Sequence, residues 1–442
     1  MTAPTPRFVV VAALAAAILY LWPAALNGFP LVYWDTGGYL MAGVEDAYEP
    51  NRSIWYAWFL EHAGLPSAWG VAIVQALIAA AALGAAVRGF ADTRAALVFA
   101  LALGGISALS WYASWLMPDV FAGLALLAVV ALAFGALSRP ARVGLTLLLA
   151  FSVAVHTSHL PMAAGTVAAA VLAGWIFGVR ARWKAPAFAI ALAIAMTVAG
   201  NAILTGQAFF NRTGFVLLFA RFAEGGIAHS VLERHCMADM AWARFCPIRH
   251  IIPNNAEQWL WSAGTPFWEM GDWEGTGADS RKVVLSALVE EPGAVLAFSL
   301  DGFAKQIARI RLGEGTESQL WFLDWTVKKA FPDELRTWEA ARQQKGELAS
   351  LAVRANWLHM AVIVPALALN LFVLFRRQAP PVLRAAAAAM LAGVIGNAFV
   401  CGALSGPHDR YHARLVWAAL ATAVPVALWL RGTPKNKSPG AG

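Results

Sequence analysis

Charge is what this sequence has least of. Only 13% of its 442 residues are Asp, Glu, Lys or Arg, and 60% are hydrophobic. A soluble globular chain carries about a quarter charged residues. The shortage excludes a water-soluble globular fold and points to an integral membrane protein with several spans. Nucleotide-binding loops are missing as well, with no Walker or GxGxxG stretch in a fitting context. There is no internal repeat, nor the inverted repeat of broken helices that marks many secondary transporters. Cysteine is scarce, at three residues. Cys236 and Cys246 lie in a long polar region, and Cys401 lies in an apolar run. In an oxidising compartment the first two would close a short disulfide loop. Otherwise they are two thiols packed as small hydrophobes.

What is present is apolar sequence in long runs. These fall near 8–27, 68–87, 95–112, 119–137, 143–157, 160–178, 185–205, 356–375, 385–403 and 413–430. The expected fold class is therefore an all-α polytopic membrane protein with about ten transmembrane helices. The first run lacks a convincing A-x-A-like cleavage site and ends in WPAALNGFP, so it reads as a retained span. Many of the 20 Trp flank apolar runs or lie in the polar region. Amphipathic rings suit the headgroup level, and carbohydrate or lipid surfaces too.

The net charge of +7 does not point to nucleic acid, because the basic residues sit at the ends of apolar runs. Arg7; Arg88 and Arg94; Arg139 and Arg142; Arg180, Arg182 and Lys184; Arg376, Arg377 and Arg384; and Arg431, Lys435 and Lys437 form these clusters. With ten spans, all of them fall on one side, which the positive-inside rule makes the cytoplasm. Both termini are then cytoplasmic. The opposite face receives the first loop (28–67), short turns near 113–118 and 158, the region 206–355, and a last loop near 404–412. The region 206–355 has aromatic clusters and helical stretches such as 325–349. It reads as a mostly helical external domain, with an amphipathic segment at 293–312 suited to a membrane surface. The resulting division is an N-terminal transmembrane module (1–205), the external domain (206–355), C-terminal transmembrane helices (356–431) and a polar, disordered tail (432–442).

Unusual polar residues collect on the external side. Asp35 opens the first loop in LVYWDTGGYL, with Tyr39 one helical turn on. Arg52 follows in EPNRSIWYAWFL. Asp119 opens a span in SWLMPDVFAGL. His156 and His159 stand in HTSHLP, and GPHDRYHARLVW carries His408, Arg410 and Arg414 into the last span. Each has a plainer role: Asp35 and Asp119 as capping or loop acids, the histidines as hydrogen-bonded interface residues, Arg410 and Arg414 as snorkelling cations, Arg52 as a loop charge. Ionisable residues at membrane depth are nevertheless costly and point to function.

An external acid near the first span and external cations near the last suit sugar transfer from a polyprenyl-phosphate donor. The acceptor hydroxyl needs a general base, which a carboxylate supplies. The leaving phosphate needs Arg, Lys or His. These segments resemble the GT-C superfamily of polyprenyl-phosphate-sugar-dependent glycosyltransferases. WDTGGYL is similar to the Asp-x-x-x-Tyr start of the catalytic loop in that family. NRSIWYAWFL is similar to its Asn-Arg-Pro-x-x-Tyr-Pro segment, with Ser53 in place of Pro. MPDVFAGLALLAVVAL resembles its Pro-Glu/Asp segment, and HDRYHARLVWAAL its late Arg-Tyr. The resemblance covers the two ends and the first third of the chain, not 206–355, and no Asp-x-Asp stands in the first loop.

The resemblance implies GT-C-like topology in a bacterial inner membrane with a periplasmic site. It implies inverting transfer to a cell-envelope glycan or glycolipid. Asp35 would be the general base. Asp119 would orient the acceptor or help hold a divalent cation (Mg or Mn). Arg410, with His408, Arg414 and Arg52, would bind the donor phosphate. Tyr39 would shape the sugar pocket, and His156 and His159 would line the site or bind the cation. Membrane lipids are the surroundings, and no nucleic acid is implied. The alternatives are a ligase moving a lipid-linked glycan, a transporter or flippase, and a non-catalytic scaffold.

Overall fold

The computed structural model describes residues 2–64, 66–318 and 323–432, and its secondary structure there is helical. The expected disordered tail lies, beyond Gly432, outside the described residues. Among the described residues, seven helices are long and apolar enough to cross a membrane, or up to nine if two sharply bent pairs each count as one. The seven are Pro6–Asn27, Ala68–Phe90, His159–Ile176, Lys184–Thr205, Leu348–Leu374, Pro381–Leu404 and Asp409–Gly432. This is the architecture of a polytopic helical membrane protein.

Three of the ten apolar runs take another form. The run at 95–112 breaks into Arg94–Gly105 and Ala108–Ala113. Ser107 makes the break: its hydroxyl donates to Gly104 O and accepts from Leu109 N–H, capping the second helix. The run at 119–137 forms Val120–Phe134, only 15 residues, and stops where Gly135 turns extended. At 1.5 Å per residue that is about 22 Å, short of a bilayer core of about 30 Å. Every residue of this helix is buried. It is a central post with protein on all sides, so its length is not tied to lipid thickness. The third, Arg139–Ala154, has 16 residues. Hydropathy alone does not distinguish such helices from spans.

The stretch 206–355 is shared between two cores. Val216, Phe219, Phe222, Val231, Phe245, Trp259, Phe267 and Val283 close one core of their own. Cys236 and Cys246 sit in it, joined as a disulfide. Leu312, Leu323, Val327, Phe331, Trp338 and Leu348 pack instead into the main core with the apolar spans. The expected helical stretch at 325–349 is interrupted. It forms Leu323–Ala330 and Leu335–Glu339, then turns until Leu348. Pro332 forces the first break, because Phe331 before it must leave helical geometry.

The helix Pro292–Ile307 lies against Pro381–Leu404. Two glycines permit the approach. A Cβ on Gly302 would fall 2.2 Å from Gly402 O, and one on Gly402 would fall 2.4 Å from Gly302 O. Nothing but hydrogen fits there. Gly402→Val should therefore lower the thermal stability of the purified protein by about 1–3 kcal/mol or more. Gly396→Ala, on the same helix with nothing within 4 Å, should leave the melting temperature unchanged in the same scan.

Candidate functional site

The loop 28–67 is tied down before it reaches Asp35. Leu31 N–H donates to Ser114 O and Leu116 N–H to Leu31 O, pinning it to the turn before Asp119. Gln343 bonds both backbone groups of Val32. The Thr36 hydroxyl accepts from Tyr33 N–H and donates to Leu116 O. Asp35 and Asp119 thereby start two neighbouring helices, Thr36–Glu45 and Val120–Phe134. Neither side chain caps its helix. Both turn to arginines, which sets aside the plain capping role for each.

Arg410 lies between the two acids. Its Nη1 is 3.6 Å from Asp35 Oδ2, and its Nε is 3.8 Å from Asp119 Oδ1. Arg52 Nη2 donates to Asp35 Oδ1 at 2.6 Å, and Arg414 Nη1 donates to Asp119 Oδ1 at 3.4 Å. The Arg410 guanidinium also lies 4.0 Å from the centre of the Tyr33 ring, which stacks on Trp115. Three guanidinium groups thus meet two carboxylates, and a third carboxylate, Glu314, accepts from the Arg410 backbone. Nε and Nη1 of Arg410, Nε of Arg52 and Nε of Arg414 have no hydrogen-bond partner among the described residues. Buried N–H groups of this kind are suited to an anion.

Above this floor opens a cavity of about 840 Å³. Asp35, Arg52 and Arg410 line its inner end. Tyr33, Trp34, Tyr411, Glu314 and His408 form its walls, and Glu257, Gln258 and Trp261 reach in from the helix Ala256–Trp261. His408 Nδ1 bonds Glu314 Oε1 at 2.6 Å, and its Nε2 lies 3.5 Å from Glu257 Oε1. Glu314 Oε2 accepts from Arg410 N–H at 3.0 Å. Burial alone would raise the Glu314 carboxyl, but the bonds from His408 and Arg410 hold it below the usual carboxylate range.

The other expected residues sit further back. Asp119 and Arg414 are each 1% exposed and do not line the cavity. Asp119 faces the two arginines and stands back from the cavity. Arg414 bonds Asp119 and the Ser158 hydroxyl. Tyr39 is buried behind Arg52, whose guanidinium is 5.5 Å from its ring centre. His156 and His159 stack on one another. His159 is buried and bonded to Ser152 O, and His156 is bonded to Ser158. His156 lines a different, smaller cavity beside Asn51 and Trp55. A divalent cation does not fit this donor set. Asp35 and Asp119 face guanidinium groups, and no group of three His, Cys, Asp or Glu side chains among the described residues is placed to hold a metal ion.

Glu314, Tyr33 and the helix Ala256–Trp261 were not legible as site residues. Glu314 is one acid in the loop GEGTES, and only the fold brings it to His408.

Two outcomes follow from the charge arrangement. Asp119→Ala leaves Arg410 and Arg414 buried without that partner, and should cost about 3–5 kcal/mol in thermal or denaturant unfolding. Glu314 has its folded pKa depressed, so its stabilising contribution is present above an unfolded value of about 4.3. That contribution is lost as pH falls from there through the lower folded value. Glu314→Gln should flatten the acid limb of a stability-against-pH curve over that window. An unchanged limb would show that the His408 and Arg410 bonds do not hold the carboxyl low. Against known proteins the chain matches no family model, no curated protein and no solved structure.

Proposed function

We propose that the chain is a membrane glycosyltransferase, moving a sugar from a polyprenyl-phosphate donor to a glycan or glycolipid acceptor of the cell envelope. The observation that carries this reading is the set of buried guanidinium N–H groups without partners at one end of a large cavity, with the partly exposed Asp35 beside them. A lipid-linked phosphate is an anion that must be met at the membrane edge. Arg410 is built for it: nearly buried, held from behind by Asp119, and with N–H groups to spare.

In this scheme the donor phosphate settles against Arg410 and draws Arg52 away from Asp35. The freed carboxylate faces the acceptor hydroxyl. The hydroxyl oxygen attacks the anomeric carbon as its proton passes to Asp35. The bond from that carbon to the phosphate oxygen breaks, and the lipid phosphate leaves with its charge on Arg410 and Arg52. Attack opposite the leaving group inverts the anomeric centre. Asp119 and Arg414 are positioning residues, and no step passes through a metal. The aromatic walls, Trp34, Trp261 and Tyr411, offer faces for sugar rings.

The same reading places the cavity at the periplasmic face of a bacterial inner membrane, with both termini in the cytoplasm. The one-sided basic clusters support it. Ten crossings then include the broken or short runs at 94–113, 120–134 and 139–154. A transporter would need ionisable groups at mid-membrane with a path to both faces. Here the paired acids and arginines gather at helix starts.

The test is transfer of radiolabelled sugar from polyprenyl-phosphate donors in membranes. Asp35→Asn and Arg410→Ala should each lose about 100-fold or more of the wild-type rate at equal protein level. Transfer retained by Asp35→Asn would remove it as the base.

A further inference from the structure

The helix Pro292–Ile307 has two unlike faces. One face carries Gly302 and Gln306, both buried against Pro381–Leu404 and the segment after it. The other carries Gly293, Leu296, Ala297, Leu300, Ala304 and Ile307, all exposed and spaced at helical intervals of three and four. Leu296 is 57% and Leu300 48% exposed. The apolar surface does not stop at this helix. Phe303 meets the Phe399 ring of the neighbouring span at 6.1 Å, and Phe399 and Ile395 are themselves exposed. Behind the helix, across a bend of 102°, Leu285, Leu288 and Val289 continue it on Gly277–Glu290. Along the edge of the stripe, Asp301 and Lys305 pair at 2.6 Å.

We propose that the partner of this face is the bilayer itself. The helix lies in the lipid interface beside Pro381–Leu404, with the Leu296–Ile307 stripe against acyl chains and the Asp301–Lys305 pair at headgroup level. Continuity with the exposed apolar side of a span is the ground for choosing lipid over a protein partner. A helix seated in this way buries its stripe about 5–10 Å below the headgroup boundary.

The placement has a consequence for the cavity. Gln306, on the opposite face, donates to His408 O and accepts from His408 N–H, both at 2.8 Å. The lipid-seated helix therefore holds the segment that carries His408 and Arg410. The inference stands apart from the transferase reading, and a failure of either leaves the other intact.

The experiment uses nitroxide labels on the full-length protein in nanodiscs of phosphatidylcholine and phosphatidylglycerol. Cysteines replace Leu296 and Leu300 one at a time, in a Cys401→Ser background. Collision with oxygen is compared with collision with a water-soluble nickel chelate. A label at Phe188, exposed on the span Lys184–Thr205, gives the lipid reference, and one at His250 gives the water reference. Oxygen-to-nickel ratios at both positions nearer the Phe188 value support the proposal. A ratio at either position nearer the His250 value overturns it.

Discussion

The arrangement depends on a buried arginine held between two acids. Removing a guanidinium from water is expensive, and an unpaired one inside a membrane protein is not tolerated without a partner. Arg410 therefore obliges Asp35 and Asp119 to be where they are. Through them it obliges the first loop, the central post and the last span to converge. Three segments distant in sequence are fixed to one point. The same pairing leaves N–H groups of Arg410 and Arg52 unbonded beside the cavity.

The sequence read well where local chemistry announces itself. Apolar runs gave the helical membrane class. Asp35 and Arg410 stood out as ionisable groups near apolar runs and Arg52 through the NRSIWYAWFL segment, and they do meet. It read less well where the third dimension decides. The polar side chain of Ser107 breaks a run that hydropathy joins, and Pro332 splits an expected helix. Val120–Phe134 is apolar because protein surrounds it, a cause the pattern cannot tell from lipid. Asp119 looked like a site acid and is one step behind the site. The histidine pair stacks ring on ring, and Ser158 and the Ser152 carbonyl take one nitrogen of each. Glu314 and Trp261 had no signal, since both reach the cavity through contacts across long stretches of chain.

The division of 206–355 between two cores changes what that region is for. Its first part, with the disulfide, folds around aromatic rings of its own. Its last part is a lining of the main core. The helix Ala256–Trp261 belongs to the first and still forms a wall of the cavity. The cavity is thus a seam between Asp35, Arg52 and Arg410 on one side and the helix Ala256–Trp261 on the other. One side is charged, and the other presents an acid, an amide and an aromatic ring in Glu257, Gln258 and Trp261.

The central post bears on how the chain is made. Val120–Phe134 touches Ala68–Phe90 before it and Arg139–Ala154 and His159–Ile176 after it. It also touches Pro381–Leu404 and Asp409–Val416, which leave the ribosome some 250 residues later. Until those last helices arrive, one flank of a short, wholly apolar helix has only lipid for company, and lipid is thicker than the helix is long. Assembly is therefore closed from the C-terminal end. A nascent chain truncated before residue 381 would hold its centre open, a ready target for the quality-control proteases of the membrane.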